Sequence, residues 1–158
     1  MQGRHLFAAV LAGLLFSGPV QAATIVLQAE LSGANEIPPA DPDGSGFATV
    51  TIDTIAMTVV WEITVANIDE VVAAHIHIGD STTNGDVRID FSGQLVGSVT
   101  DPDAVLVASN PSGWYVNVHT GPFPGGAIRG QLHRVSEAGS AGLMLLGLFG
   151  VAWLRRRI

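Results

Sequence analysis

The sequence has 158 residues, a formal net charge of −7 at pH 7, and neither cysteine nor lysine. This length allows one domain with short additions. The absence of cysteine excludes disulfides, thiolate metal sites and cysteine nucleophiles. The acidic charge repels phosphate backbones, so we expect no nucleic-acid partner.

Residues 1–22 have the pattern of a secretory signal peptide. A basic head at Arg4 precedes an apolar run over 6–16, and a small-residue cleavage site follows. We place the cut between Ala22 and Ala23. The alternative is an uncut membrane anchor, for which the apolar run is short. The sequence therefore predicts an exported, extracytoplasmic protein.

Alternating apolar and polar residues predict strands through the middle of the chain. The predicted strands are 25–31, 57–65, 72–78, 86–91, 104–108, 114–119 and 128–132. No run with a helical period occurs before Ser136. We therefore expect residues 23–135 to form an all-β domain, an antiparallel Greek-key-like sandwich or small barrel. Trp61 lies in the strongest run and is predicted to be buried against Trp114 or Val116.

The C-terminal segment, residues 136–158, differs in character from the rest. Ala138 to Leu154 is uncharged and mostly apolar, and Arg155, Arg156 and Arg157 follow at once. The length suits a short transmembrane helix, and the arginines would stay on the cytoplasmic side. The alternative is a buried C-terminal helix of the domain.

Three histidines are candidate metal ligands. His75 and His77 are two residues apart on a predicted strand, so both rings leave the same face. His119 lies on the polar face of a second predicted strand. If the two strands are neighbours, three imidazoles converge, a donor set that suits zinc or copper. The alternative is that these are structural histidines bonded to backbone groups or to Asp80.

Polar side chains near these histidines are predicted to share their face of the sheet. Tyr115 and Asn117 alternate with the apolar residues of the His119 strand. Asp80 and Asn117 are the nearest candidates in sequence to accept hydrogen bonds from ligating rings. Arg129 is expected to pair with Glu36 or Asp80 on the surface.

Three stretches resemble the CHRD domain, the module named after chordin. They are Leu31-Ser32-Gly33-Ala34-Asn35-Glu36-Ile37-Pro38-Pro39, Ala74-His75-Ile76-His77, and Trp114 through Leu132. The resemblance spans about Ile25 to Leu132 and implies a β-sandwich of the kind found in many bacterial exported proteins. From it we expect a non-catalytic binding or structural module at the cell envelope. Its partners would be envelope or extracellular matrix proteins, or matrix polysaccharide.

The tail resembles a PEP-CTERM sorting signal. Val135-Ser136-Glu137-Ala138 stands where that family has Val-Pro-Glu-Pro, so both prolines are missing, while the apolar helix and arginine cluster match. The resemblance implies Glu137 and the terminal arginines as sorting and anchoring residues, with the membrane and a sorting protease as partners.

A second resemblance is to copper–zinc superoxide dismutase. It rests on His75-Ile76-His77-Ile78-Gly79-Asp80 and on Gly125-Gly126-Ala127-Ile128-Arg129-Gly130. In that family an H-x-H pair holds copper. The chain has neither an obvious bridging histidine nor the family's cysteines. The alternative function that this resemblance implies is a copper or zinc redox protein with a three-histidine site.

Overall fold

One antiparallel sheet of nine strands organises residues 24–135, the part of the chain that this computed structural model describes. The strands are β1 (Thr24–Ser32), β2 (Ser45–Asp53), β3 (Thr58–Ala66), β4 (Val71–Ile78), β5 (Val87–Asp90), β6 (Val96–Thr100), β7 (Trp114–Thr120), β8 (Ile128–Gln131) and β9 (His133–Arg134). The strand order is β5-β4-β7-β8-β1-β2-β3-β6, and β9 pairs with β1. The sheet curls into a half-barrel, and the predicted antiparallel all-β class is confirmed.

Several sequence predictions lie outside the described residues. They are the signal peptide with its cut between Ala22 and Ala23, and the C-terminal segment with Glu137, Arg155, Arg156 and Arg157. Among residues 24–135, no helix has the length and apolar character needed to cross a bilayer.

The apolar core follows the alternation that the sequence predicts for β1 and β3. Leu27, Ala29 and Leu31 of β1 are buried, as are Trp61 and Ile63 of β3. Because β1, β2 and β3 pair in continuous antiparallel register, these side chains lie on one face of the sheet. That face supplies the apolar burial that stabilises the domain.

The predicted burial of Trp61 is confirmed, and its stacking partner is Phe91. The two rings are parallel within 7°, with centroids 4.1 Å apart. The indole N–H donates to the Gln94 carbonyl at 2.9 Å, so the buried nitrogen has a partner. Gly97 lies against the indole, where a Cβ would come within 2.6 Å of a ring carbon.

The prediction of a strand over 104–108 is wrong, because these residues form helix α1 (Ala104–Ser109). Ala104, Val107 and Ala108 are buried, whereas Val105 and Leu106 are exposed. This is the i, i+3, i+4 spacing of an amphipathic helix. A continuous apolar run of five residues has no visible period, so sequence alone does not distinguish the two states.

Three of the nine strands, β2, β6 and the short β9, have no counterpart in the sequence prediction. β2 buries Ala48, Val50 and Ile52 in strict alternation and pairs with β1 and β3 along its length. β6 is an edge strand that pairs only with β3. Two single-turn 3₁₀ helices, Gly33–Asn35 and Pro111–Gly113, complete the elements.

β7 lies between β4 and β8, and all seven of its residues are buried. Its apolar side chains enter the core. Its polar side chains meet two connecting segments, 79–86 and 121–127, through hydrogen bonds and through the close approach of Gly126 to Asn117. The predicted polar face of β7 is therefore a buried layer, not an open surface.

Candidate metal centre

The three predicted histidines converge on the buried polar side of the sheet. β4 carries His75 and His77, and the neighbouring β7 carries His119. One ring nitrogen of each lies within 4.8 Å of those of the other two. The strand pairing causes this convergence, because Ala73 is the partner of His119 and His75 is diagonal to it.

Backbone carbonyls fix the orientation of two of the rings. His77 Nδ1 lies 3.0 Å from the Gly85 carbonyl, and His119 Nδ1 lies 3.1 Å from the Pro124 carbonyl. A carbonyl oxygen only accepts, so each Nδ1 carries the proton and donates. In the neutral ring, Nε2 of His77 and of His119 then carries the lone pair, and this is the nitrogen that binds a metal.

His75 connects the other two rings to an acidic side chain. Its Nδ1 lies 3.1 Å from His119 Nε2, and its Nε2 lies 3.6 Å from Asp90 Oδ1. Without a metal, His75 Nδ1 donates to His119. If the proton moves to Nε2, it faces Asp90, and Nδ1 becomes a third free nitrogen. All three rings then have their outer nitrogen next to an acceptor, the arrangement that supports ligating histidines.

Burial favours the neutral form of these imidazoles. It lowers the pKa of His75, against an opposing effect of the Asp90 carboxylate. It also lowers the pKa of His77 and His119, although hydrogen bonds to Gly85 and Pro124 act in the opposite direction. His77 Nε2 is buried without a hydrogen-bond partner. A buried lone pair without a donor is costly, and a metal ion would satisfy it.

The nitrogen spacing is close to what zinc or copper requires. In a tetrahedral site, two nitrogens that each lie about 2.1 Å from the ion are about 3.4 Å apart. Ring movements of under about 1 Å therefore bring all three donors into range. The side chain of His75 is 18% exposed, so the site has an entry from solvent on the β5 side.

Tyr115 packs against the His77 ring, and Arg129 packs against Tyr115. Tyr115 stacks on His77 with centroids 4.9 Å apart and an angle of 11°, and its hydroxyl accepts from the Gly85 N–H at 3.2 Å. The Arg129 guanidinium carbon lies 3.6 Å from the Tyr115 ring centroid. This cation–π contact stabilises the position of the phenol ring. Because the phenol ring stacks on His77, the rotation of both rings is limited.

The prediction that Arg129 pairs on the surface is wrong, because its exposed fraction is 1%. It donates to the Asn84 side chain at 2.9 Å, to the Asp80 carbonyl at 2.8 Å and to the Thr83 carbonyl at 3.3 Å. Arg129 thus connects the 79–86 segment to β8, and the contact with Asp80 is to its backbone.

The two side chains predicted to orient the rings have other surroundings. Asp80 Oδ1 accepts three hydrogen bonds from Thr82 and Thr83 at 2.8–3.0 Å, and these lower the pKa of its carboxyl. Asn117 pairs with His75 in the strand register, but its Oδ1 is buried without a partner. The ring acceptors are instead Asp90 and the carbonyls of Gly85 and Pro124. β-strand pairing could have indicated Asp90; the loop carbonyls leave no signal in sequence.

Glu36 is a further buried polar residue, next to Asn117. It is 6% exposed, and its Oε1 has no hydrogen-bond partner. Burial raises its pKa to about 7, with the Arg129 guanidinium acting in the opposite direction. A Cβ at Gly126 would come within 2.5 Å of Glu36 Oε1 and 2.6 Å of the Asn117 amide nitrogen, so only glycine fits there.

Comparison with known proteins gives one match. The family profile of the CHRD domain matches residues 27–132, more than half of the 158 residues and nearly all of the described part. No curated protein and no solved structure matches the chain.

Proposed function

The chain belongs to the CHRD domain family, and from this premise we propose that it is a non-catalytic binding module that holds zinc or copper at His75, His77 and His119. The observation that carries the proposal is the buried His77 Nε2, a lone pair without a donor within reach of two more imidazoles. Family membership supports the non-catalytic role.

The bound ion would join β4 to β7 and could accept a further ligand. Three imidazoles leave one position of a tetrahedral site free, and a bound ion would supply Lewis acidity or a bridge to a partner there. The protein's own contribution is orientation: the carbonyls of Gly85 and Pro124 hold the outer nitrogens of His77 and His119, and the Asp90 carboxylate faces that of His75. Tyr115 limits rotation of the His77 ring.

The test of this proposal is calorimetry with zinc and with copper(II) on the purified, tag-free chain. Each single substitution, His75→Ala, His77→Ala or His119→Ala, should weaken binding by at least about tenfold. The control is His133→Ala, because His133 is exposed and outside the cluster. Equal metal affinity in the parent and in a triple His→Ala variant would contradict metal binding by these histidines.

The proposed location is the outside of a bacterial cell envelope, with envelope or matrix proteins or matrix polysaccharide as partners. The support is the sequence pattern of residues 1–22 and 136–158, including the arginines that would hold the C-terminus in the membrane. A sorting protease is a proposed partner for the tail. Mass spectrometry of envelope-associated protein reads both ends of the mature chain and tests cleavage at each.

Redox chemistry is the second candidate function, and the all-nitrogen donor set favours it because imidazole suits copper as well as zinc. Superoxide removal assays on the copper-loaded chain separate the two functions. Activity above that of the same amount of free copper, lost in His119→Ala, would replace the non-catalytic role with the redox role.

A further inference from the structure

Two adjoining cavities lie on either side of Glu36, and each measures about 370 Å³. Glu36 and Ile37 line both, and we call the pair the Glu36 cleft. Its apolar half is formed mainly by Pro38, Pro39, Pro122, Phe123 and Pro124. Its polar half includes Asn35, Ser81, Arg129 and Gln131. A cleft with an apolar wall and a few convergent polar groups is typical of small-ligand sites.

The polar groups of the cleft that lack partners are all acceptors. Glu36 Oε1 and Gln131 Oε1 are both buried without a hydrogen bond, and so is Asn117 Oδ1 beside Glu36. Three carbonyls, those of Gly79, Ser112 and Trp114, lie 2.8 Å from the Gln131 amide nitrogen and share its two hydrogens, which identifies the oxygen as the free end. A ligand that completes these groups must therefore donate hydrogen bonds.

Arg129, the positive charge nearest to Glu36, already has hydrogen-bond partners. Arg129 donates to Asn84, Asp80 and Thr83 and stacks on Tyr115. Its guanidinium therefore does not fill the cleft as a counter-ion. Thirteen of the fourteen acids but only three of the seven arginines lie between residues 24 and 135, so the domain attracts cations and repels anions.

From this arrangement we propose that the Glu36 cleft binds a primary ammonium group, with the Glu36 carboxylate as counter-ion and the Gln131 oxygen as a second acceptor. Proline and phenylalanine side chains pack against the body that carries the ammonium. An ammonium suits the site because it is compact and offers three donors to a group of buried oxygens. The amine could belong to an amino sugar of a matrix polysaccharide or to a simple alkylamine. The site is separate from the histidines and does not rest on the metal.

The test uses isotope-labelled full-length chain and nuclear magnetic resonance titration near pH 7.5. Cyclohexylammonium and glucosamine are the two ammonium probes, and cyclohexanol and N-acetylglucosamine are their neutral counterparts. We expect both ammonium probes to shift resonances of residues 36–40 and 122–126, and the neutral probes to bind at least about tenfold more weakly. Binding of cyclohexylammonium alone assigns the site to alkylamines, and tighter binding of glucosamine assigns it to amino sugars.

Two variants make the outcome decisive. Glu36→Gln keeps the size of the side chain and should weaken ammonium binding at least about tenfold, while Glu30→Gln, on the exposed side of β1, should leave it unchanged. Phe123→Ala, on the half-buried wall, should cause a smaller loss and does not depend on Glu36→Gln folding. Equal binding of charged and neutral probes, or no binding of any probe, would overturn the proposal. Zinc affinity should be the same in Glu36→Gln and the parent, so the two proposed sites succeed or fail separately.

Discussion

The two faces of β7 are both closed to water, but by different means. Trp114, Val116 and Val118 are at most 5% exposed and pack into the apolar core. Tyr115, Asn117 and His119 are at most 8% exposed and lie under connecting segments. The first face is closed by side chains from the rest of the curled sheet, and the second by loops that bring hydrogen-bond partners.

The difference shows where a ligand belongs in this molecule. Apolar side chains need only contact, so the core face is complete as it stands. Each buried polar group needs its own partner, and the loop-covered face leaves several atoms without one, among them His77 Nε2, Glu36 Oε1 and Asn117 Oδ1. Both proposed sites lie on that face for this reason.

The largest expected effect comes from breaking the core face at Trp61. Trp61→Ala removes the stack on Phe91 and leaves a cavity over Gly97, so the free energy of unfolding should fall by about 3–5 kcal/mol. Urea unfolding followed by circular dichroism measures it. Val60→Ala, at a neighbouring position that is 46% exposed, should cost under about 0.5 kcal/mol. A cost for Trp61→Ala as small as that of Val60→Ala would show that the core is not centred on this stack.

Much of the core face could be predicted from the sequence, because period-two alternation directly reports burial on one side of a strand. Leu27, Ala29, Leu31, Trp61 and Ile63 follow it. β2 has the same alternation, but the glycine- and proline-rich turn that precedes it obscures where the strand begins. The sequence of helix α1 does not indicate a helix, because five of its apolar residues are consecutive and show no period.

The loop-covered face was only partly predictable. The His-x-His spacing and the alternation around His119 predict imidazoles on matching faces, and the strand pairing brings them together. The partners of those rings depend on where loops 79–86 and 121–127 fold back, which no local pattern encodes. The burial of Arg129 was missed for the same reason, since its acceptors Asn84 and Asp80 lie more than forty residues away.

A smaller effect is expected on the loop-covered face at Arg129. Arg129→Lys keeps the charge, but a lysine cannot reach Asn84, Asp80 and Thr83 together, nor can it stack flat on Tyr115. The free energy of unfolding should therefore fall by about 2–3 kcal/mol. Arg88→Lys is the matched control, because Arg88 pairs with Asp103 at a partly exposed site and should cost under about 1 kcal/mol. Equal losses in the two variants would mean that Arg129 does not hold this face together.

The smallest effect is a pH dependence at Glu36. Burial raises its pKa from 4.5 to about 7 in the folded state. Between pH 4.5 and about pH 7, the folded chain therefore keeps this proton, whereas the unfolded chain has lost it. The stability that depends on the proton is complete below the unfolded value and is lost as pH rises through about 7.

Glu36→Gln has no such proton, so its stability relative to the parent should rise by about 1–2 kcal/mol between about pH 5 and about pH 8. Urea midpoints at the two pH values measure the change. Val60→Ala, which removes no titratable group, should show a constant difference from the parent. A constant difference for Glu36→Gln as well would contradict the buried, protonated state of this carboxyl.

The strand order also determines when the domain can fold. β1, near the N-terminal end of the described residues, pairs with β8 near their C-terminal end, and the Asn35 side chain donates to the Arg129 carbonyl 94 positions later. Such distant pairings make a sheet slow to form, because long loops must close before the contacts stabilise them. β7, which joins β4 to β8, is likewise available only after most of the described chain has been made. A chain that cannot complete its sheet early stays extended for longer, which would suit the export that we propose, through a narrow channel ahead of folding.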